Sequence, residues 1–239
     1  MKYIYGPVRS RRLGLSLGIS LTPHKVCTFD CVYCQIGTGV STVSDRKEYI
    51  RAEEILEEIR LWLENNTREA AQLNYITFSG AGEPTLNSRI GGLIKGIRGL
   101  TNVPVAVITN ASLLNSAQVR SELLQADLVV PSLDAVTPEI FARVNRPKKG
   151  IKVEDIINGL IAFRKEFKGK IWLEIMLVKG INDGLDSVFS LKDVIDKINP
   201  DKINLNSPVR ATAQKNIAAA DEERLCQIRE ILGDRCQIV

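Results

Sequence analysis

The sequence predicts an α/β fold in which strands and helices alternate along the chain. Nearly continuous apolar runs of strand length recur, as is typical of parallel strands that are covered on both faces. Segments with helical periodicity follow most of these runs, and polar residues recur where the strands end. Six such strand–helix units can form an open doubly wound sheet or a barrel-like arrangement. Both architectures place functional sites beyond the carboxyl ends of the strands.

The individual elements follow from the apolar pattern. The first strand is predicted at 13–21. The first helix is predicted at 52–66, where apolar residues repeat at i, i+3, i+4 and i+7 and acidic residues fill the first turn. Further strands are predicted at 74–80, 103–110, 127–134, 170–180 and 201–207. Further helices are predicted at 87–99, 112–125, 138–145, 153–167, 185–198 and 220–232.

The composition is that of an ordinary globular protein. Of the 239 residues, 44% are apolar and 25% are charged, and no apolar run approaches the length of a membrane span. The first residues lack the apolar segment of a secretion signal, so we expect a cytoplasmic protein with no membrane association. The cysteine count is five, an odd number, and three cysteines share one short stretch. That pattern favours a metal site in a reducing compartment over a disulfide framework.

The clustered cysteines are Cys27, Cys31 and Cys34, which follow the first predicted strand with C-x3-C-x2-C spacing. Thiolates prefer soft metals, which means zinc or iron–sulfur. One interpretation is a structural zinc site with His24, the only histidine, as fourth ligand. A second is a set of buried, inert thiols. A third is a four-iron cluster held by three thiolates, which leaves one iron open for a substrate or cofactor.

The spacing, with Tyr33 directly before the last cysteine, resembles the signature of the radical S-adenosylmethionine (radical SAM) superfamily. The resemblance implies that Cys27, Cys31 and Cys34 bind a [4Fe-4S] cluster, and that Tyr33 belongs to the cofactor site. It implies that the amino and carboxylate groups of S-adenosylmethionine bind the open iron. Reductive cleavage would then give methionine and a 5′-deoxyadenosyl radical that abstracts a substrate hydrogen.

The same resemblance implies a fold and a domain organisation. The superfamily's core is a partial (β/α)6 TIM-like barrel of parallel strands, which the six predicted units match. We therefore expect one radical SAM domain over residues 1–239. Its core would cover about 13–207, and a C-terminal helical extension would cover 208–239.

A second motif, FSGAGEPTL at 78–86, follows the second predicted strand and is similar to the family's GGEP motif, with Gly-Ala in place of Gly-Gly. Glycines let a backbone approach a ligand closely, and their carbonyls can accept from an ammonium group. By the resemblance, this stretch holds the methionine amino group. Taken alone, it is an ordinary Gly/Pro turn. The cofactor-binding residues predicted here are Ser79, Gly80, Ala81, Gly82 and Glu83.

Polar residues near the ends of later strands are the remaining candidates. The resemblance suggests ribose or carboxylate contacts on strands four and five and adenine contacts near strand six. The candidates are Asn110, Ser132, Asp134, Glu174 and Asn206. Each alone is equally well explained as a helix cap or turn residue. A carboxylate inside an apolar strand, such as Glu174, must be hydrogen-bonded or paired. The sequence identifies no catalytic acid or base.

Several longer sequence segments resemble the subgroup near the archaeal wyosine-tRNA synthases. Those enzymes carry three extra cysteines upstream of the motif, whereas this chain has no cysteine before Cys27, which argues against tricyclic base formation.

A chain with one cluster also resembles the glycyl-radical-enzyme activases. Cys226 and Cys236 are too few for a second four-cysteine cluster, and we interpret them as buried or incidental, with partial cluster ligation as the alternative. A zinc-stabilised RNA-binding module and an iron–sulfur electron carrier are rival functions.

Two basic clusters suggest partners. They are RSRR, with Arg9, Arg11 and Arg12, and RPKKGIK, with Arg146, Lys148, Lys149 and Lys152. Each could meet RNA phosphates or an acidic partner, or could form an ordinary solvated surface. Arg210 is expected at the strand rim, where it could receive an anionic substrate group. We expect a monomer with a low-potential electron donor, flavodoxin or ferredoxin, and an RNA or protein substrate.

Overall fold

The computed structural model describes residues 1–37, 42–209 and 212–239, and its centre is one eight-stranded sheet. Arg210, predicted at the strand rim, lies outside the described residues. The strands are β1 Ile4–Ser10, β2 Gly14–Ile19, β3 Tyr75–Phe78, β4 Val105–Thr109, β5 Leu128–Pro131, β6 Lys170–Met176, β7 Lys202–Asn206 and β8 Cys236–Ile238.

Helices connect most of the strands. They are α1 Ala52–Asn65, α2 Thr67–Ala70, α3 Ile90–Leu100, α4 Ala117–Leu123, α5 Pro138–Val144, α6 Val153–Glu166, α7 Leu185–Ile198 and α8 Glu222–Leu232. A 3₁₀ turn covers Pro84–Leu86. None of the helices in the described part of the chain is both long and apolar enough to cross a lipid bilayer.

The strands lie side by side in chain order, from β1 to β8. The first two form an antiparallel hairpin, and every pair from β2 to β8 is parallel. Within the described residues, β1 and β8 pair on one side only, so the sheet does not close. The predicted partial barrel of parallel strands is confirmed.

Two strands were not predicted from the sequence. The Gly6-Pro7 pair inside β1 reads as a turn signal, and β8 is only three residues long. β8 pairs with β7 through Ile203 and Cys236, so the segment predicted as a helical extension holds α8 and also adds a strand to the sheet. The strand predicted at 170–180 ends earlier, at Met176.

The strands present different residues to the helices and to the barrel interior. In β4, Val105 and Val107 belong to the large core under the helices, whereas Ala106 and Ile108 belong to a second, smaller core. That smaller core collects residues near the amino ends of the strands, including Leu128 and Trp172. It fills the lower barrel interior with apolar side chains, so the cavity described below lies nearer the carboxyl ends.

Two helical glycines give a matched test of this packing. A Cβ added at Gly159 of α6 would come within 2.5 Å of the backbone of Leu114 and Asn115, whereas one at Gly92 of α3 would meet nothing within 4 Å. We expect Gly159→Ala to destabilise the protein by about 1–3 kcal/mol through overpacking. Gly92→Ala should be neutral or stabilise by up to about 1 kcal/mol. Urea unfolding measures both, and equal effects would contradict the packing.

Candidate active site

The cysteine loop, residues 24–37, follows β2 and is held in shape by a buried lysine. Lys25 donates from Nζ to Asp30 Oδ1 at 2.9 Å and to the carbonyl of Gly37. Asp30 also pairs with Arg146, which precedes α6. A buried ammonium group is stable only when its donors are matched in this way. The loop is therefore closed on itself by protein contacts.

Two of the three thiols accept hydrogen bonds from side-chain amides. Asn110 Nδ2 donates to Cys27 Sγ and Asn145 Nδ2 donates to Cys31 Sγ, both at 3.5 Å. Burial, reinforced by the charge of Glu83, raises the pKa of Cys27 to about 11. Burial also raises the pKa of Cys31 well above its ordinary value. Such thiols stay protonated at neutral pH until a metal displaces the proton.

The side chain of His24, the fourth ligand in the zinc interpretation, is exposed. Among residues 1–37, 42–209 and 212–239, no three His, Cys, Asp or Glu side chains are grouped closely enough to hold one metal ion. The three loop thiols are each partly buried.

The GAGEP segment lies directly against the cysteine loop. Gly82 bridges to Val26, and the backbone N–H of Glu83 donates to the Val26 carbonyl at 2.9 Å. A Cβ at Gly82 would come within 2.1 Å of that carbonyl oxygen, so only glycine permits the approach. Gly80 has a φ of +111°, whereas Ala81 is not among the residues with positive φ. The alanine that replaces the family's second glycine is therefore unstrained.

Glu83 is buried and its carboxylate is fully used within the protein. Oε1 accepts from Thr85 N at 3.0 Å, from Thr85 Oγ1 at 2.6 Å and from Thr109 Oγ1 at 2.6 Å. Oε2 accepts from the backbone N–H of Asn110 at 2.7 Å. Burial raises the pKa of Glu83, and these hydrogen bonds oppose the rise. The carboxylate thus joins the ends of β3 and β4, and the backbone of 80–82 is left to contact a ligand.

Asp134 joins separate segments as Glu83 does, but it does so between the cysteine loop and strands β5 and β6. It accepts hydrogen bonds from the hydroxyl of Tyr33, from Asn145 Nδ2 at 2.7 Å and from the backbone N–H of Met176 at 2.8 Å. Asn182 Nδ2 donates to its backbone carbonyl at 2.8 Å. Burial is the main cause that raises the pKa of Asp134, and the charge of this carboxylate adds to burial in raising the pKa of Tyr33. The cysteine loop is thereby tied to β5 and β6.

Glu174 was predicted to need a hydrogen-bond or ion-pair partner, and the structure gives it two. Its carboxylate pairs with Arg12 and accepts from Asn206 Nδ2 at 2.8 Å. Burial raises the pKa of Glu174, and the Arg12 guanidinium opposes that rise. Ser132 bridges to Glu174 through the backbone, and its hydroxyl makes no hydrogen bond within the described part of the chain.

A cavity of about 470 Å³ lies beside these groups, and only some of them line it. Its lining includes four of the predicted cofactor-binding residues, which are Tyr33, Ser79, Glu174 and Asn206. Asp134 and Asn110 lie behind the lining and reach it through Tyr33 and the cysteine loop. Gly80, Ala81, Gly82, Glu83 and Ser132 follow strands β3 and β5 and are likewise outside the lining. Cys226 is exposed on α8 and Cys236 lies in β8, away from the loop cysteines in sequence and in the sheet.

Sequence reasoning missed several residues that shape this site. Tyr5 lines the cavity, bonds to the hydroxyl of Ser79 and lies over Gly18, where a Cβ would come within 2.2 Å of its ring. Its position depends on the hairpin that was not predicted. Lys25 and Asn145 stand in ordinary polar stretches and carry no signal of their own. Their roles emerge only from contacts between segments distant in the chain.

The structure combines a partial barrel of parallel strands with a three-cysteine loop that follows β2, the first of those strands. This combination defines a class of iron–sulfur enzymes. Residues 21–190 match the family model described as the radical SAM superfamily, and the chain belongs to this superfamily. Members of this superfamily are enzymes that use a [4Fe-4S] cluster and S-adenosylmethionine, and this chain is one of them. The resemblance stated from the motifs is confirmed.

Two curated relatives match almost the whole chain. The UPF0026 protein MJ1312 of Methanocaldococcus jannaschii is 35% identical over 98% of this chain and 72% of that protein. A protein named GTPase Obg from Brachyspira hyodysenteriae is 40% identical over 99% of this chain, which spans only 34% of that protein's length.

Among solved structures, TYW1 with a lysine-pyruvate adduct bound is similar, with a TM-score of 0.69 and 19% identity. The match covers 91% of this chain and 72% of that one. At this identity the likeness establishes the fold.

Glu83 provides a test of the site's construction. Glu83→Ala would leave the buried donors of Thr85, Thr109 and Asn110 without an acceptor, at about 1–3 kcal/mol for each unsatisfied group. We expect the free energy of unfolding to fall by at least about 2 kcal/mol. Glu69→Ala, an exposed position on α2, is the control and should change little. Equal effects in denaturant unfolding would contradict the joining role of Glu83.

Proposed function

We propose that this enzyme cleaves S-adenosylmethionine reductively and uses the product radical to abstract a hydrogen atom from a macromolecular substrate. Cys27, Cys31 and Cys34 would hold the cluster. When bound, the reduced cluster supplies the electron that splits the sulfonium into methionine and a 5′-deoxyadenosyl radical. The observation that supports this most directly is the arrangement of three cysteines on one braced loop, with amide donors on two thiols, in contact with the GAGEP segment.

The chain's own residues would bind and orient the cofactor. The carbonyls of Gly80–Gly82 are left to accept from the methionine ammonium group, since the Glu83 carboxylate is already engaged. Asn110 and Asn145 donate to the sulfurs and so stabilise negative charge on thiolates. Glu174, Asn206 and the open hydroxyl of Ser132 offer polar contacts to the nucleoside.

Two cysteine variants test the ligand assignment. Cys31→Ala should abolish iron binding and the formation of 5′-deoxyadenosine with dithionite, because the cluster would lose one of three protein ligands. Cys226→Ala is the matched control, since this thiol is exposed on α8 and should be dispensable. Iron and sulfide content and product chromatography are measured after anaerobic reconstitution. Retained 5′-deoxyadenosine in Cys31→Ala would reject the assignment.

We propose RNA as the substrate class. Arg9 and Arg11 line the cavity, are exposed and form no ion pair with any described residue. Unpaired guanidinium groups suit phosphate oxygens. Tyr5, Val8 and Val209 give the same cavity exposed aromatic and apolar surface, on which an unstacked base can lie. A protein substrate, as for a glycyl-radical-enzyme activase, is the alternative that the next experiment separates.

The two free arginines make RNA binding salt-dependent. Arg9→Gln/Arg11→Gln should weaken binding of a tRNA pool and reduce the slope of log K against log salt by roughly 1.4, if each arginine meets one single-stranded phosphate. Arg68→Gln/Lys95→Gln removes the same charge from exposed helix positions and is the control. Fluorescence anisotropy at several salt concentrations measures the slope. Identical slopes in both double variants would exclude RNA recognition by the hairpin.

The match to the Brachyspira relative named a GTPase does not indicate GTP hydrolysis by this chain. This chain matches about a third of that protein, and its own sequence contains no G-x-x-x-x-G-K-[S/T] phosphate loop.

A further inference from the structure

The second basic cluster packs directly on the cysteine loop. We define the lysine segment as residues 146–152, which connect α5 to α6. Lys148 N–H donates to the Thr28 carbonyl at 2.9 Å, and Pro147 bridges to Phe29 in an antiparallel manner. Just before the segment, the Val144 carbonyl accepts from Val32 N–H at 2.9 Å. The segment thus covers the stretch of the loop that carries Cys27 and Cys31.

We propose that the lysine segment is the docking surface for an acidic one-electron carrier protein that reduces the cluster. The inference rests on the proposed function, because only a redox-active cluster needs such a carrier. Arg9 and Arg11 of the β1–β2 hairpin line the cavity, whereas the lysine segment does not.

The charge of the segment fits an acidic partner. Residues 143–153 include five basic residues and no acidic one. Arg146 is engaged by Asp30, whereas Lys148, Lys149 and Lys152 form no ion pair within the described part of the chain. The side chains of Lys149 and Lys152 are exposed. The nearest acids along the chain are Glu154 and Asp155 in the first turn of α6, where the helix dipole favours them.

The lysine segment also lies close to the thiols, which gives an electron from a bound carrier a short path to them. Asn145, directly before the segment, touches Cys31 Sγ through its amide at 3.5 Å. The cavity is lined on its cysteine-loop side by Tyr33 and Gln35, and no residue of 143–153 lines it. A carrier on the lysine segment would therefore reach the cluster without occupying the cavity. Substrate and electron donor could then be bound at the same time.

Such an interface needs no large apolar patch. Electron-transfer complexes are transient and small, and electrostatic complementarity sets their association rate. The exposed charges of the lysine segment meet that requirement, and their effect should decline as salt screens them.

Charge reversal tests the proposal. Lys149→Glu/Lys152→Glu alters the segment, and Lys168→Glu/Lys170→Glu, at the amino end of β6, is the charge-matched control. The probes are a flavodoxin and a [2Fe-2S] ferredoxin, which separate flavin from iron–sulfur carriers. Calorimetry at low salt measures the Kd of each carrier for the chain. Stopped-flow absorbance measures cluster reduction by the reduced carrier and by dithionite.

We expect the segment variant to weaken the Kd of at least one carrier and to slow reduction by it, each roughly tenfold, while reduction by dithionite is unchanged. The control variant should behave as the native chain. The proposal is overturned if both variants bind both carriers alike, or if the segment variant loses RNA affinity and keeps carrier affinity. Absence of 5′-deoxyadenosine with dithionite in the native chain would instead refute the proposed function, and the Kd comparison would be unaffected.

Discussion

The close approach of Gly82 to Val26 is the contact on which the candidate site depends. It brings the turn after β3 against the cysteine loop that follows β2, although the two segments are more than fifty residues apart in sequence. Because a side chain at Gly82 would collide with the Val26 carbonyl, the distance between the two segments is fixed by backbone atoms alone. Glu83 follows immediately, and its carboxylate carries the same positioning on to β4 through Thr109 and the backbone of Asn110. A cofactor that touches both segments therefore meets a site whose parts are held rigidly together.

Three buried carboxylates extend this arrangement from the cysteine loop to the cavity, and each accepts hydrogen bonds from several donors. Glu83 joins β3 to β4, Asp134 joins the cysteine loop to β6, and Glu174 joins the hairpin to β7 through Arg12 and Asn206. Burial raises the pKa of all three. Buried polar networks that are fully satisfied favour a single conformation, whereas partly satisfied ones are costly. The polar residues at the strand ends are thus the framework of the site as well as its surface.

Local sequence patterns determine the parts of this structure that could be predicted. Apolar runs and helical periodicity identify the six parallel strands β2 to β7 and most of their helices, and the cysteine spacing with the glycine motif locates the candidate site. β1 and β8 could not be predicted, because one contains a Gly-Pro pair and the other gains its order from pairing with β7. The hydrogen bonds of Glu83 could not be predicted either, since Thr109 ends another strand and Asn110 directly follows it. Lys25 gives no signal in sequence, because its burial depends on how the loop folds over it.

The internal bracing of the cysteine loop bears on how the protein is maintained. Lys25, Asp30, Arg146 and the carbonyl of Gly37 hold the loop through contacts that involve no sulfur atom. Loss of iron to oxygen would therefore remove the inorganic part while the surrounding polypeptide keeps its form. We expect such a loop to accept iron and sulfide again with little loss of conformational entropy, because its shape does not depend on them.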